Sequence, residues 1–164
     1  MAERLYNVLF LCTGNSARSI MAEAVLNRLG KGKFKAFSAG SHPTGVVNPH
    51  ALEALRGSGI STDGLRSKSW DDFARADAPA MDFIFTVCDK AAAEQCPVWP
   101  GRPVSAHWGI EDPAAFTGPE DKVRAKFRTV LSHLSRRIEL FLALPIASLE
   151  QSPLRSELAK IGRS

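Results

Sequence analysis

Apolar residues follow two rhythms along this chain, and their alternation predicts its architecture. Val8-Leu9-Phe10-Leu11 is a continuous apolar run. Such a run fits a strand covered on both faces better than one with a wet side, so residues 6–11 read as a buried strand. From 17 to 29 the spacing changes: Ala17, Ile20, Met21, Ala24, Val25 and Leu29 recur at helical intervals, and Gly30 ends the helix. A short strand at 34–39 closes on Gly40. Asn48-Pro49 reads as a helix start, with Asn capping and Pro in the first turn, and the helix runs to about Arg56 before Gly57 and Gly59. Ser69 to Asp72 opens a short helix in the manner of a capping box. Strands follow at Phe83–Val87 and 103–107. Gly118-Pro119 opens a long helix striped by Val123, Phe127, Val130, Leu131, Leu134, Ile138 and Phe141, and a short helix lies near 153–161.

Strand alternating with helix predicts an α/β fold: one domain over residues 1–164, a parallel sheet with helices on both faces, and a helical extension at 144–164. There is no internal repeat and no low-complexity segment. In parallel sheets of this kind ligands bind beyond the carboxyl ends of the strands. Three loops should therefore converge: residues 12–19, the segment after Val87 and the segment after His107.

The bulk composition narrows the function classes. The chain has 164 residues, 45% hydrophobic and 23% charged, which is ordinary for a globular domain with its own core. Net charge is +4, from 21 basic and 17 acidic residues. That suits an anionic ligand, but no basic run is interleaved with aromatics, so nucleic acid is not a predicted partner. No apolar stretch approaches the ~20 residues needed to span a bilayer, and Met1-Ala2-Glu3-Arg4 leads into a strand without a signal-peptide core. The expected location is the cytoplasm, where three cysteines are more readily reactive than structural.

Cys12-Thr13-Gly14-Asn15-Ser16-Ala17-Arg18-Ser19 is the most informative segment. A cysteine and an arginine five residues apart, on a strand-to-helix turn, make an oxyanion cradle with a nucleophile at its base. Turn N–H groups and the helix N-terminus supply positive potential. Arg18 offers two donors in a planar fork. The same field favours the Cys12 thiolate, and Ser19 could donate to the sulfur. Gly14 and Asn15 tolerate the positive φ of a tight loop. The other reading is a buried structural cysteine beside a surface arginine; a nucleotide P-loop fits worse, because no Gly-Lys-Ser/Thr follows.

Two further features belong with the cradle. Cys88 follows a buried strand, and Cys96 lies beyond seven helix-prone residues that could unwind, so one thiol could reach another and relay a disulfide. Inert packing of Cys88 is the other reading. His42, His50, His107 and His133 show no zinc-ligand spacing with the cysteines, so no metal site is predicted. Glu111-Asp112-Pro113 places a carboxyl group on a constrained turn, where it could protonate a leaving oxygen or cap a helix.

Together these residues resemble the low-molecular-weight protein tyrosine phosphatase superfamily, and within it the arsenate reductases. The resemblance covers about residues 5–143. Besides the 12–19 loop it is carried by Met21-Ala22-Glu23-Ala24, Ser38-Ala39-Gly40, Val47-Asn48-Pro49 and His107-Trp108-Gly109-Ile110-Glu111-Asp112-Pro113. It implies a four-stranded parallel sheet of flavodoxin-like order. It implies Cys12 as nucleophile and Arg18 as oxyanion binder within the loop Thr13, Gly14, Asn15, Ser16, Ala17, Arg18 and Ser19. Asp112 would be the general acid, Asn15 a brace for the loop and Ser19 a support for the thiolate.

Phosphatases of the superfamily carry tyrosines after the Asp-Pro, whereas Ala114-Ala115-Phe116 follows here and the only tyrosine is Tyr6. The reductases carry extra cysteines after the third strand, as Cys88 and Cys96 do. The implied function is arsenate reduction through a Cys12, Cys88, Cys96 relay, and the alternative is hydrolysis of phosphate monoesters. No bound cofactor is implied. The partners are an arsenate or phosphate oxyanion and an external thiol reductant. Thioredoxin-coupled members have six residues between the second and third cysteines rather than seven, so glutaredoxin with glutathione stands beside thioredoxin. A monomer is expected. Some relatives bind potassium through a glutamate, a serine and an aspartate. Glu23 and Ser38 match the first two, but no aspartate corresponds near Ser67-Lys68-Ser69-Trp70, and no potassium is assigned.

Overall fold

The computed structural model describes residues 5–88, 103–146 and 151–164. Four strands, β1 (Tyr6–Cys12), β2 (Phe34–Gly40), β3 (Phe83–Thr86) and β4 (Val104–His107), form one sheet in the order β2-β1-β3-β4. All pairings are parallel. The order is the flavodoxin-like one, with the change of direction at β1. Register brings the carboxyl ends level: Cys12 lies opposite Gly40, Leu11 opposite Thr86, and Thr86 opposite His107. The segments leaving β1, β3 and β4 therefore start from one edge.

The unbroken apolar character of β1 follows from its central position. Val8, Phe10 and Cys12 face the larger core, while Leu9 and Leu11 face a smaller one with Ala39, Phe73, Met81 and Ile84. The larger core is built with α1 (Arg18–Leu29), α2 (Pro49–Gly57), α3 (Glu120–Leu142) and α4 (Gln151–Gly162). The smaller is covered by a 3-10 helix at Trp70–Phe73, which Ser69 caps by accepting from the Asp71 N–H. Asn48 caps α2 through the His50 N–H, with Pro49 in the first turn, as the sequence predicts. The predicted α3 stripe is buried at Phe127, Val130, Leu131, Leu134, Ile138 and Phe141. Among the described residues no helix is long and apolar enough to cross a membrane.

An aromatic cluster joins sheet to helices along one face of the sheet, from the amino ends of β2 and β3 to the carboxyl end of β4. Trp108 stacks on Phe85 at 3.9 Å between ring centroids. The Phe141 ring meets Phe34, Phe83 and Phe85 at 5.0 to 5.3 Å. Trp108 also donates its indole N–H to the Leu158 carbonyl at 3.0 Å, tying α4 to the end of β4. Gly162 allows the close approach, since a Cβ there would run into the His107 carbonyl and the Trp108 ring. In the predicted extension Leu154, Leu158 and Ile161 are buried in the main core, and Leu149 lies outside the described residues.

Because Phe141 is fully buried among rings that cannot close over a gap, Phe141→Ala should lower unfolding free energy by about 3–5 kcal/mol. Urea denaturation with an unchanged m-value would show it; a loss under about 1 kcal/mol would mean the cluster repacks without difficulty.

Candidate active site

The 12–19 loop is built by turning its carbonyl groups outward. The Thr13, Gly14 and Ser16 carbonyls accept hydrogen bonds from the backbone N–H groups of His42, Thr44 and Asn48 at 2.8 to 3.0 Å. Ser67 Oγ adds a bond to the Gly14 carbonyl at 3.3 Å. With the carbonyls engaged on the outside, the loop is left to present N–H groups to the inside, the arrangement that receives an anion. The segment after β2 that carries these donors can come close because residue 40 is glycine: a Cβ there would collide with the Thr13 carbonyl oxygen.

Asn15 is fully buried and takes a positive φ of 47°. That conformation is uncommon for a residue with a side chain, and here the side chain holds it. Its Oδ1 accepts from the Lys68 N–H at 2.8 Å, and its Nδ2 donates to Ser19 Oγ at 2.8 Å. Ser19 Oγ, while accepting from Asn15, lies 2.8 Å from Cys12 Sγ, and its own proton is free to serve a thiolate there. The Asn15 N–H also points at that sulfur, at 3.2 Å. One asparagine thus positions both the Ser19 hydroxyl and its own N–H at the sulfur, and the Ser19 backbone N–H adds a further bond to it.

Cys12 is 4% exposed and Cys88 2%. Both line a cleft of about 300 Å³ with Thr13, Gly14, Ser16, Ala17, Arg18, Thr44 and Asp112. Cys88 Sγ lies 3.6 Å from Thr13 Oγ1, at the mouth of the loop. Arg18 extends across the cleft, donating from Nη1 to the Ile110 carbonyl at 3.0 Å, with Nη2 3.6 Å from Asp112 Oδ2. Asp112 also accepts from the Ala114 N–H at 3.0 Å, capping the 3-10 turn Pro113–Ala115. Oδ1 makes the predicted helix cap, while Oδ2 is the oxygen turned to Arg18, in the lining of the cleft. Its loop is tethered from behind, where the buried Arg137 donates to the Trp108 and Gly109 carbonyls at 2.9 and 3.0 Å.

The electrostatics correct one expectation. Burial pushes the Cys12 thiol up, and this outweighs the downward pull of the Ser19 and Asn15 hydrogen bonds; the neighbouring Cys88 adds a further upward push. A helix N-terminus favours a thiolate only so far as the sulfur stays solvated, and this sulfur lies at the bottom of the cleft.

Of the sequence-predicted site residues, Cys12, Thr13, Gly14, Ser16, Ala17, Arg18, Cys88 and Asp112 line this one cleft, Asn15 and Ser19 are fully buried and outside its lining, and Cys96 lies outside the described residues. The predicted positions do not include His42, Thr44, Ser67 and Lys68, whose hydrogen bonds support the loop. Only Gly40 and Asn48, already within quoted motifs, hinted at that support. Among the described residues no cluster of three His, Cys, Asp or Glu could hold a metal ion.

Residues 7–152 match the family model described as low molecular weight phosphotyrosine protein phosphatase. A protein of Halalkalibacterium halodurans named arsenate reductase is 36% identical over 134 residues, covering 82% of this chain and 93% of that protein. A solved structure described as an arsenate reductase in the phosphate binding state superposes with a TM-score of 0.68 at 30% identity, covering 84% of this chain and 97% of the other. A thioredoxin-dependent arsenate reductase of Corynebacterium glutamicum superposes with a TM-score of 0.58 at 25% identity, covering 86% of this chain and 65% of the other.

Because Ser19 donates to the sulfur, Ser19→Ala should move the pH profile of Cys12 alkylation by iodoacetamide to higher pH. The shift is expected to be about one unit, the worth of one hydrogen bond to a charged group. It is measured with Cys88 and Cys96 replaced by serine; an unmoved profile would show that Ser19 does not stabilise the thiolate.

Proposed function

The chain belongs to the low molecular weight phosphotyrosine protein phosphatase family, and from that premise we propose that it is an arsenate reductase. The observation that carries this reading is the second thiol, Cys88, in the wall of an oxyanion cleft whose floor is already a thiol. A phosphatase has no use for it; a reductase needs a second sulfur to take up the first. The curated relative and the phosphate-binding neighbour, both called arsenate reductases, support the same reading.

The substrate is a tetrahedral oxyanion, held by the inward N–H groups of the loop and by Arg18. Cys12 Sγ attacks arsenic. Starting from monoanionic arsenate, an S–As bond forms, an As–O bond breaks, and the oxygen departs as water. Asp112 hands that oxygen a proton, and the proton lost from the Cys12 thiol makes up the balance. Burial works against the Cys12 thiolate, and the donors on its sulfur stabilise the charge that develops as it reacts.

Cys88 then attacks Cys12 Sγ. An S–S bond forms as S–As breaks, the electron pair stays on arsenic, and arsenite leaves with the Cys88 proton. Arsenic has gained two electrons and the two thiols have lost them. Cys96 is assigned the next exchange, giving a Cys88–Cys96 disulfide and a restored Cys12. An external dithiol completes the cycle, and thioredoxin is the reductant favoured here, because a structural neighbour is described as thioredoxin-dependent. Glutaredoxin with glutathione is the alternative.

The first half of this sequence would serve a phosphate monoester as well, with water in place of Cys88. One feature favours weak hydrolysis of aryl phosphates: Phe116, three residues past Pro113, stands 37% exposed with its ring 5.4 Å from the Lys126 ammonium. A single ring beside the acid loop offers one aromatic wall to a substrate.

The test is arsenate-dependent NADPH oxidation with thioredoxin and thioredoxin reductase, run beside a glutaredoxin–glutathione system. Cys12→Ser should abolish both arsenate reduction and hydrolysis of p-nitrophenyl phosphate. Cys88→Ser should abolish the first and spare the second, and Cys96→Ser should form about one arsenite per enzyme and then stop. Steady turnover by Cys88→Ser would overturn the relay.

A further inference from the structure

Behind the nucleophile loop lies an ion pair that the chemistry above does not use. Lys68 Nζ makes three contacts, to the Arg66 carbonyl at 2.9 Å and to Glu23 Oε1 and Ser38 Oγ, each at 3.3 Å. An ammonium has three N–H donors, and three oxygens receive them. Ser38 in turn donates to Glu23 Oε1 at 2.7 Å, so the carboxylate is held from two sides. The Lys68 and Glu23 side chains are only 8% and 12% exposed. Glu23 is on α1, Ser38 on β2 and Lys68 on the segment before the Trp70 turn, so the cluster pins three parts of the chain to one point.

This cluster also answers whether the chain fits the potassium that some relatives hold through a glutamate and a serine. It does not: the Glu23 and Ser38 oxygens are already directed at a covalently attached cation. The same lysine reaches the nucleophile through its main chain. Its N–H is the donor to Asn15 Oδ1, and Asn15 Nδ2 holds Ser19 Oγ, which holds Cys12 Sγ. Two short steps separate the anchored lysine from the sulfur's donor.

We propose that Lys68 is a positioning residue for Cys12: its ammonium is a built-in monovalent cation, seated on Glu23, Ser38 and the Arg66 carbonyl, that fixes Asn15 and through it Ser19. The protein therefore takes no benefit from dissolved potassium, and removing the ammonium creates a hole that a small cation can fill. The proposal rests on Cys12 as the nucleophile but not on arsenate as the substrate.

The experiment follows the rate of Cys12 alkylation by iodoacetamide, with Cys88 and Cys96 replaced by serine, in potassium, ammonium and tetramethylammonium chloride at equal ionic strength. In the parent protein the three salts should give the same rate. Lys68→Ala should react about tenfold more slowly in tetramethylammonium chloride, the size of a coupled network loss, and potassium or ammonium should restore most of it. A purely structural role predicts equal slowing in all three salts, and that result overturns the proposal, as does an unchanged rate in Lys68→Ala. Should Lys68→Ala not fold, the parent protein decides: a rate raised more than about twofold by potassium, beyond what differential ion binding leaves unnoticed, overturns the proposal, and equal rates uphold it. Alkylation needs no arsenate, so failure of the reductase reading is told apart by the NADPH assay.

Discussion

The pairing of Cys12 with Gly40 is the contact on which the cleft depends. It brings β2 against the loop leaving β1 closely enough for backbone donors at 42, 44 and 48 to take the loop's carbonyls. A loop whose carbonyls were free would turn them toward any available donor, and the inner face would lose its uniform sign. With them engaged, the cradle is positive by construction rather than by added charge. A net charge of only +4 is then no handicap in an enzyme for anions. Any side chain at position 40 would push the two backbones apart, and the fault would appear in the geometry of the anion site.

The site sets burial against ionisation at two places, and resolves them differently. At Cys12 burial pushes the thiol up, and neutral donors from Ser19 and Asn15 oppose it without cancelling it. At Lys68 burial also disfavours the charged form, but Glu23 pulls the other way, and the ammonium meets three well-placed oxygens. A charge that must stay is met by an opposite charge; a charge that must come and go is met by dipoles.

Much of this was legible in the residues alone. The apolar run of β1 announces a strand with two covered faces, and the helical stripe of α3 is buried from Phe127 to Phe141, with Val123 partly covered. Asn48-Pro49 marks its helix because both signals act on neighbouring backbone. The cradle was legible for the same reason: cysteine, glycine, asparagine and arginine sit within one turn of chain. What could not be read is what arrives from a distance. Lys68 is 53 residues from Asn15, and only the fold makes its N–H the partner of that side chain. The upward push on Cys12 is a matter of depth, and depth is a property of everything packed above a residue. The proposed part of Cys96 in the relay rests on its spacing from Cys88, since it lies outside the described residues.

The tie between Trp108 and Leu158 bears on the order in which the molecule can be assembled. During synthesis every residue that lines the cleft, through Asp112, has been made before α4 exists. The indole N–H then lacks its Leu158 partner and faces solvent, and the backbone that leads from Trp108 to the Arg18 and Asp112 contact lacks part of its backing. The cleft is therefore completed by residues that touch none of it, and a nascent chain carries its nucleophile for some time before the acid beside it is fully held in place.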